Sequence, residues 1–300
     1  MPQATKEIQR RIKSIGNTKK VTKAMEMVAA SKMRKAIANV LATRSYSNLA
    51  WDLVKTLASR TDSKYHPLLE KRAKVKKIGL VLITSNRGLC SGFNAAIINR
   101  SIKYITKNED AEVELIVLGD KGKDFMSKKG HKIVAEFEKL DITTNITEIT
   151  PLAKLLVDDF IEAKYDKVVL AYTDFISTLV QKPRVLELLP INSDNVDKDL
   201  GQVTGESEKD LEHKEFEYLF EPSPDEVLSE LLPRLIEMQI YQAILESDAS
   251  EHSARMVAMR GASDAASDMI DDLTLIFNKA RQSSITSELA DISGGRMAME

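Results

Sequence analysis

A cysteine between two glycines follows one of the buried strands that the sequence predicts. Segment 88–92, with the sequence GLCSG, has the spacing and the strand-to-helix context of the turn that presents the nucleophile in α/β hydrolases. Such an enzyme also needs a histidine base, and His131 and His213 follow Cys90 in chain order. Neither histidine comes at the end of a predicted strand, where a base would be presented. A cysteine hydrolase is one hypothesis; a tight turn that buries a small thiol is the other.

The remaining glycines and histidines do not form a recognisable cofactor site. Segment 119–123, GDKGK, lacks the loop length and the trailing Ser or Thr of a phosphate-binding loop, and G-x-G-x-x-G follows no predicted strand. The chain has a single cysteine, which excludes an intrachain disulfide and a cysteine-rich metal site. Its four histidines are scattered along the sequence. We expect this chain to bind no cofactor and no metal.

The middle of the chain predicts an α/β domain, which we assign to residues 76–222. Short apolar segments rich in β-branched residues alternate there with helical segments. This alternation favours a Rossmann-like fold with a mainly parallel sheet. Residues 192–217 are polar and acidic, and they predict a loop. The predicted strands are 78–84, 112–118, 132–137, 167–173 and 184–189, and the predicted helices are 94–106 and 150–163.

The end of the chain, residues 223–300, predicts a long helix. Ser223 suits the N-cap, Pro224 the first helical position and Glu226 the capping box. From residue 228 to 280, steps of three and four residues meet an apolar residue at 13 of 16 positions. A period of 3.5 residues predicts a helix wound left-handed against a partner. Pro233 removes one backbone hydrogen bond and predicts a kink or a break near the start of this helix.

Residues 1–60 predict a second long helix, because they contain one glycine and no proline after Pro2. Two heptad helices at opposite ends of one chain favour an antiparallel coiled coil, closed by the central domain. Pairing between two chains is the alternative. The heptad positions are Ile8, Ile15, Thr22, Ala29, Ala36, Thr43, Ala50 and Leu57, with Ile12, Met33, Val40 and Val54 beside them.

Charge is distributed unevenly along a chain whose net charge is −2. Residues 1–60 hold 13 Lys and Arg against 3 Asp and Glu, while residues 194–251 hold 17 acidic residues against 4 basic ones. Such segregation is typical of a nucleic-acid-binding arm or of complementary segments in one assembly; a solvated basic face is the third interpretation. Because aromatic residues are almost absent before Tyr46, the stacking that single-stranded nucleic acid requires is disfavoured.

Composition and the N-terminal sequence predict where the chain works. With 43% hydrophobic and 29% charged residues, the chain is typical of a folded protein. No apolar run approaches the ~18 residues of a membrane span. The N-terminal segment lacks the apolar core of a secretory signal and continues into a helical pattern, so we expect no cleaved leader. These features favour the cytosolic side of a cell.

Three segments of the chain resemble motifs of the F-type ATP synthase γ subunits. Residues 17–34, NTKKVTKAMEMVAASKMR, are similar to the N-terminal motif of that family. Residues 250–260, SEHSARMVAMR, are similar to its second motif, and residues 278–289, NKARQSSITSEL, to its third. Residues 87–90 resemble the family's loop after the first strand, although Ser91 stands where glycine is commoner. The similarity extends over the whole chain, in the same order.

The resemblance implies a rotor. Both terminal helices would form a coiled-coil shaft inside a ring of alternating α and β subunits, with three α and three β subunits to one copy of this chain. The α/β domain would sit at the foot of the shaft, against the ε subunit and the ring of c subunits. The chain would couple proton flow to ATP synthesis or hydrolysis without catalysing either. It would lie on the cytoplasmic face of the bacterial cell membrane as a peripheral protein.

The resemblance also implies contact residues near the end of the C-terminal helix and at the foot. Arg281, Gln282 and Thr286 match the third motif and are expected to form hydrogen bonds with a β subunit near the upper part of the shaft. Tyr218, just before the final helix, is expected at the foot against the c ring. The alternative is that Arg281, Gln282 and Thr286 belong to the ordinary exposed surface of a coiled coil and contact no β subunit.

A second group of expected contacts faces the acidic lever segment of the β subunit. Met25 and the basic residues Lys20, Lys23 and Arg34 match the N-terminal motif. Opposite charge suits a moving interface, because it guides contact without a fixed fit. Cys90 is expected near the same lever as a contact, not as a nucleophile.

Overall fold

The structure, a computed structural model, describes residues 3–60, 66–70, 72, 74–143, 145–191 and 224–297. It divides the chain into two compact units. The first unit contains Met1–Ala29 and Arg255–Glu300, and the second contains Ala30–Ala254. Helices α1, Gln3–Arg60, and α5, Pro224–Met297, contribute residues to both units. The three-part division that the sequence suggested, 1–60, 76–222 and 223–300, stays a prediction.

In the first unit, α1 and α5 pack along the predicted heptad positions. Every such position of α5 in this unit up to residue 280 is buried or half-buried, whereas most residues between them are exposed. In α1, Ile8, Ile12 and Ile15 are half-buried, and Thr22 and Ala29 are buried. The small buried residues allow close approach of two helix backbones. The predicted α5 positions are Met256, Met259, Ser263, Ala266, Ile270, Leu273, Phe277 and Ala280.

The second unit is built on a sheet of five strands in the order β3-β2-β1-β4-β5. Strands β1 to β4 pair in parallel, and β5 is an antiparallel edge strand. The mainly parallel sheet that the sequence predicted is confirmed. The strands are β1 Lys77–Ile83, β2 Glu112–Leu118, β3 Ile133–Phe137, β4 Lys167–Phe175 and β5 Gln181–Leu189; the helices between them are α2 Phe93–Lys107, α3 Asp120–Lys128 and α4 Thr150–Ile161, with 3₁₀ turns at Pro67–Leu69 and Ile146–Glu148.

Alternate residues of β1 show how the two faces of the sheet are covered. Ile78, Leu80 and Leu82 are buried against α2 and α3. Val81 and Ile83 point to the opposite face, where α4 and the long helices α1 and α5 pack. Successive side chains of a strand point to opposite faces, and a sheet buried on both faces needs apolar residues at every position. The β1 sequence KIGLVLI meets that requirement from Ile78 onward, and Lys77 at its start is exposed.

Within the second unit, α1 and α5 run antiparallel. Ala36 and Ala249 belong to one buried cluster with Phe175. Seven residues further along α1, Thr43 Oγ1 donates a hydrogen bond to Gln242 Oε1 at 2.8 Å. From Ala36 to Thr43 the residue number on α1 rises, while that of the partner on α5 falls from 249 to 242. The antiparallel pairing within one chain is confirmed here.

Three details differ from the sequence-based expectations. Helix α3 was not predicted, because it has only nine residues, few of them apolar, and contains a glycine. Strand β5 begins at Gln181 and includes Pro183, which an edge strand tolerates. At Pro233, where a kink or a break was predicted, the helix does not break, since α5 continues through it. Leu232 and Ile236 are fully buried on either side of the proline, and this packing holds the helix together.

Gly119 and Gly122, the glycines of the segment 119–123, allow the backbone of α3 to pack closely against Thr84. Gly119 has φ 97°, and a Cβ there would lie 2.2 Å from the Thr84 carbonyl oxygen. The Gly122 N–H donates to Thr84 Oγ1 at 2.9 Å, and a Cβ on Gly122 would lie 2.8 Å from the same oxygen. Only glycine fits at these two positions. They bring the start of α3 against the end of β1.

Candidate functional site: the junction of α5 with the α/β domain

The expected β-contact residues of α1 lie on its surface. Lys20, Lys23 and Arg34 are exposed, and Met25 is half-buried. The Lys23 ammonium is 2.9 Å from the carboxylate of Glu26 on the same helix. Lys20, Lys23 and Met25 belong to the first unit, whereas Arg34 belongs to the second.

The expected contacts near the end of α5 are exposed as well. Arg281, Gln282 and Thr286 are all in the first unit. Thr286 Oγ1 donates a hydrogen bond to the Gln282 carbonyl oxygen at 2.9 Å, within the helix. The Arg281 and Gln282 side chains therefore remain the two long polar groups of this set on the surface. Tyr218, the expected foot contact, lies outside the described residues.

Cys90 lies in the second unit and is buried, with 2% of its surface exposed. It packs against Phe93 and Ala254, and Asn94 Nδ2 donates to its sulfur at 3.3 Å. The residues beside it, Leu89 with φ 63° and Ser91 with φ 52°, adopt the left-handed conformation. Leu89 is 61% exposed. Cys90 thus anchors its loop on α5, and a partner would touch Leu89 or Ser91 rather than the thiol.

The most unusual segment of the molecule is residues 239–254 of α5, all of which are buried. A buried helix is normally apolar around its whole circumference. This one carries polar and charged side chains, each of which needs a partner to offset the loss of water. We call residues 239–254 and their partners in the α/β domain the junction. The polar residues of the segment are Gln239, Gln242, Glu246, Ser247, Asp248, Ser250, Glu251, His252 and Ser253.

On one side of the junction, Lys139 forms a buried ion triad with Asp248 and Glu251. The Lys139 ammonium lies 2.7 Å from each carboxylate. Burial alone would lower the pKa of Lys139, but the charges of Asp248 and Glu251 outweigh it and raise that pKa. Lys139 therefore remains a cation. The Thr143 N–H also donates to the Asp248 carboxylate, at 3.0 Å.

The same loop, which follows β3, contacts α5 and α1 through Asp141. Its carbonyl oxygen lies 2.8 Å from His252 Nε2, and its carboxylate lies 2.9 Å from the Lys32 ammonium. The hydrogen bond from Lys32 lowers the pKa of Asp141. Asn39 of α1 adds a bond from Nδ2 to the Thr143 carbonyl oxygen, at 3.3 Å. One short loop thus fastens both long helices to the sheet.

On the other side of the junction, α5 is fastened to β4 and to the turn after it. Ser250 Oγ donates to the Thr173 carbonyl oxygen at 3.2 Å, and Ser253 Oγ donates to the Thr178 carbonyl oxygen at 2.7 Å. A hydroxyl that bonds a backbone carbonyl holds the helix against the strand itself. The attachment does not depend on a flexible side chain of the sheet.

A carboxyl pair lies on this second side of the junction. Glu246 is fully buried beside Asp174 of β4, and Gln242 Nε2 donates to Glu246 Oε1 at 3.1 Å. Burial, together with the negative charge of Asp174, raises the pKa of Glu246 to about 8. Arg184 of β5, 2.9 Å from Asp174, partly offsets this effect. The pair therefore holds a proton at neutral pH.

The roles of these junction residues were not predicted, although the sequence contains a signal for two of them. Gln242 and His252 are two of the non-apolar residues in the otherwise apolar heptad pattern. Both prove to be buried and hydrogen-bonded. A polar residue at a core position of a helix marks a place where a polar partner must come from elsewhere. The sequence does not identify the partner, because it lies more than 100 residues away along the chain, as Lys139 does from Glu251.

Two features are absent from the part of the chain that the structure describes. No group of His, Cys, Asp and Glu there could hold a metal ion. No helix there is long and apolar enough to cross a membrane.

Comparison with known proteins agrees with the fold. A family model for ATP synthase matches residues 4–299. The ATP synthase gamma chain of Herpetosiphon aurantiacus is 41% identical over 305 residues, and the alignment covers 99% of both chains. That of Dehalococcoides mccartyi, strain CBDB1, is 44% identical over 294 residues, which cover 97% of this chain and 98% of the relative.

Solved structures include chains of similar fold. A chain in the central stalk and c-ring of Tetrahymena thermophila mitochondrial ATP synthase is 26% identical, with a TM-score of 0.61, over 81% of this chain and 99% of that one. A chain of Euglena gracilis mitochondrial ATP synthase, in an OSCP/F1/c-ring structure, has a TM-score of 0.68 over 99% of this chain and 94% of its own length. The second chain is 19% identical and shows the fold.

The fold and the junction define a protein in which a pair of long helices is fastened to an α/β domain by buried polar contacts. The chain belongs to the ATP synthase family and, within it, to the gamma chains. It is accordingly a non-catalytic rotor subunit of the central stalk. The hypothesis of a cysteine hydrolase is wrong, and Cys90 is the buried thiol of a tight turn.

Proposed function

We propose that one copy of this chain turns inside a ring of three α and three β subunits and couples proton flow through the membrane sector to ATP synthesis and hydrolysis. The observation that supports this proposal is the junction. Residues 239–254 of α5 are buried in the α/β domain and bonded to it on two sides. A rotor needs such a fixed attachment, because a turning force applied to the domain must reach the helices.

The exposed basic residues of α1 are proposed to contact the β subunits. Lys20, Lys23 and Arg34 present positive charge to solvent, and the half-buried Met25 is proposed to add an apolar contact with β. Attraction between opposite charges acts over a distance and does not require a single docked geometry. We expect these basic side chains to meet an acidic segment of β. Leu89, exposed on the loop that Cys90 anchors, is proposed to reach the same segment.

Arg281, Gln282 and Thr286 are proposed to make the directional contacts with a β subunit. Arg281 and Gln282 are exposed on a stretch of α5 that ends the predicted heptad pattern. Planar guanidinium and amide groups form specific hydrogen bonds, which suit a contact that must hold at one rotational position. The Thr286 hydroxyl donates to the Gln282 carbonyl oxygen within the helix, next to these two side chains.

The foot of the rotor is proposed to be the α/β domain, where the ε subunit and the c ring would bind. Tyr218 is proposed as a contact with the c ring. In this arrangement the chain is a peripheral protein on the cytoplasmic face of a bacterial membrane. The chain itself holds no cofactor in this proposal, and nucleotide chemistry belongs to the β subunits.

Reconstitution from purified α and β subunits of the same organism tests the proposal. We expect one copy of this chain to co-elute with three α and three β subunits in gel filtration. The complex should hydrolyse ATP well above the rate of the same α and β mixture without the chain. A chain that neither joins the complex nor raises the rate would contradict the proposal.

A further inference from the structure

The polar contacts of α5 at the junction fall on opposite faces of the helix. Successive residues of an α-helix are turned by about 100°. Asp248, Glu251 and His252 therefore lie within one face, and their partners are all in the loop after β3. Ser250 and Ser253 lie on the reverse face, and their partners belong to β4 and the turn after it. Within two turns, polar contacts therefore hold the helix from two opposite sides.

These polar contacts differ from apolar packing in how they resist rotation of the helix about its own axis. Hydrophobic contact is non-directional, so apolar side chains hold the rotational position of a helix through steric packing alone. Hydrogen bonds and short ion pairs depend on distance and angle. Contacts on opposed faces oppose rotation in both senses, because turning the helix either way breaks bonds on each side.

Lys139 is the central member of the first face. Its side chain is 3% exposed and lies 2.7 Å from both Asp248 and Glu251. Its carbonyl oxygen also accepts a hydrogen bond from Asn86 Nδ2, at 2.7 Å, in the loop after β1. Lys139 thus links three elements: the β1 loop, the β3 loop and α5. Removal of its charge would leave two carboxylates buried without their cation.

We propose that Lys139 is a positioning residue of the rotor: its ion triad fixes the rotational position of α5 against the α/β domain, so that turning force passes between them without slip. This role rests on the proposed function, since it matters only in a chain that transmits rotation. It is separate from assembly, because Lys139 is buried within this chain and is not available to another subunit.

The test uses the complete membrane-bound complex and compares protons pumped with ATP hydrolysed. Lys139→Met keeps the length of the side chain and removes its charge. We expect assembled Lys139→Met complexes to hydrolyse ATP while their ratio of pumping to hydrolysis falls to about half of the wild-type ratio or less. A change in folding alone would lower the amount of complex, not this ratio for each complex. An unchanged ratio would overturn the proposal.

Three further variants separate the ion triad from general destabilisation. Lys132→Met is the matched control, since Lys132 forms ion pairs with Glu112 and Glu114 inside the sheet and none with α5 in the described contacts; its ratio should equal the wild type. Lys139→Arg keeps the cation, and a cavity of about 320 Å³ lined in part by Lys139 gives room for the larger group. Its ratio should also remain high. A ratio as low as that of Lys139→Met would count against the triad.

The third variant tests the role of the ion triad in the case that Lys139→Met does not assemble into the complex. Lys139→Met combined with Asp248→Asn and Glu251→Gln leaves no unpaired charge buried, and it should assemble. We expect its ratio to stay at the low value, because the neutral groups lack the charge-assisted bonds. Full recovery of the ratio would overturn the role of the triad. If wild-type complex itself fails to pump, the proposed function fails, whereas normal wild-type pumping with unaffected variants refutes only the role of Lys139.

Discussion

Glu246→Gln removes a buried group whose ionisation links the stability of this chain to pH. Folding raises the pKa of Glu246 from 4.5 to about 8, first through burial and then through the charge of Asp174. Between these values the folded chain retains a proton that the unfolded chain has released. Stability therefore falls as pH rises through this window, by about 1.4 kcal/mol per pH unit for this group. Above about pH 8 the loss levels off.

Glutamine cannot ionise, and its amide can donate to Asp174 as a protonated carboxyl does. We expect the free energy of unfolding of Glu246→Gln to lack this decline. The gain over the wild-type chain should increase from pH 5 to pH 9 and reach at most about 5 kcal/mol. The other groups at the site, namely Arg184, Gln242 and Thr43, are the same in both chains.

The assay is urea unfolding of the purified full-length chain at intervals from pH 5 to pH 9. Asp124→Asn, at an exposed position of α3, is the control and should follow the wild-type chain at every pH. If Glu246→Gln and the wild-type chain gave parallel curves over the whole range, Glu246 would not hold a proton in the folded chain. The description of the carboxyl pair would then be wrong.

Three other substitutions test separate parts of the structure. Gly119→Ala should lower the free energy of unfolding in urea by about 3 kcal/mol or more, since φ is 97° and the added Cβ meets the Thr84 carbonyl; no loss would contradict the close packing there. Cys90→Ala should cost about 1 kcal/mol of stability and leave the stimulation of ATP hydrolysis intact; a lost stimulation would argue for a direct role of the thiol. Arg281→Ala should raise the concentration of chain needed for half-maximal stimulation about tenfold, corresponding to about 1.4 kcal/mol, whereas Lys279→Ala on the same helix should not; equal effects would remove the specific role of Arg281.

The long helices and most of the sheet were predictable from sequence for a clear physical reason. A coiled-coil seam repeats along the chain, so its period is visible without knowledge of the partner. Predicted positions such as Ala36 and Ala249 are indeed buried. The strands of a sheet covered on both faces are continuous apolar runs, and the boundaries of β1 and β2 came within one residue of those observed.

The junction was not predictable, because its bonds join residues distant in sequence. Nothing near Lys139 indicates that its cation will meet Asp248 and Glu251. From the sequence, His252 at a heptad position shows only that α5 needs a polar partner there, and it does not show which residue that partner is. Helix α3 was missed for a related reason, since Gly122 lowers helix propensity and is required by contact with Thr84. Local propensity yields to tertiary contact at such positions.

Rotation of this chain inside an immobilised α–β ring is the most direct test of the account. A marker bead can be attached through Lys107→Cys, at the exposed end of α2, in a Cys90→Ala background that leaves no other cysteine. We predict that ATP drives continuous rotation of the bead in one direction. Complexes that hydrolyse ATP while the bead only fluctuates about a fixed angle, with attachment verified, would contradict the rotor role.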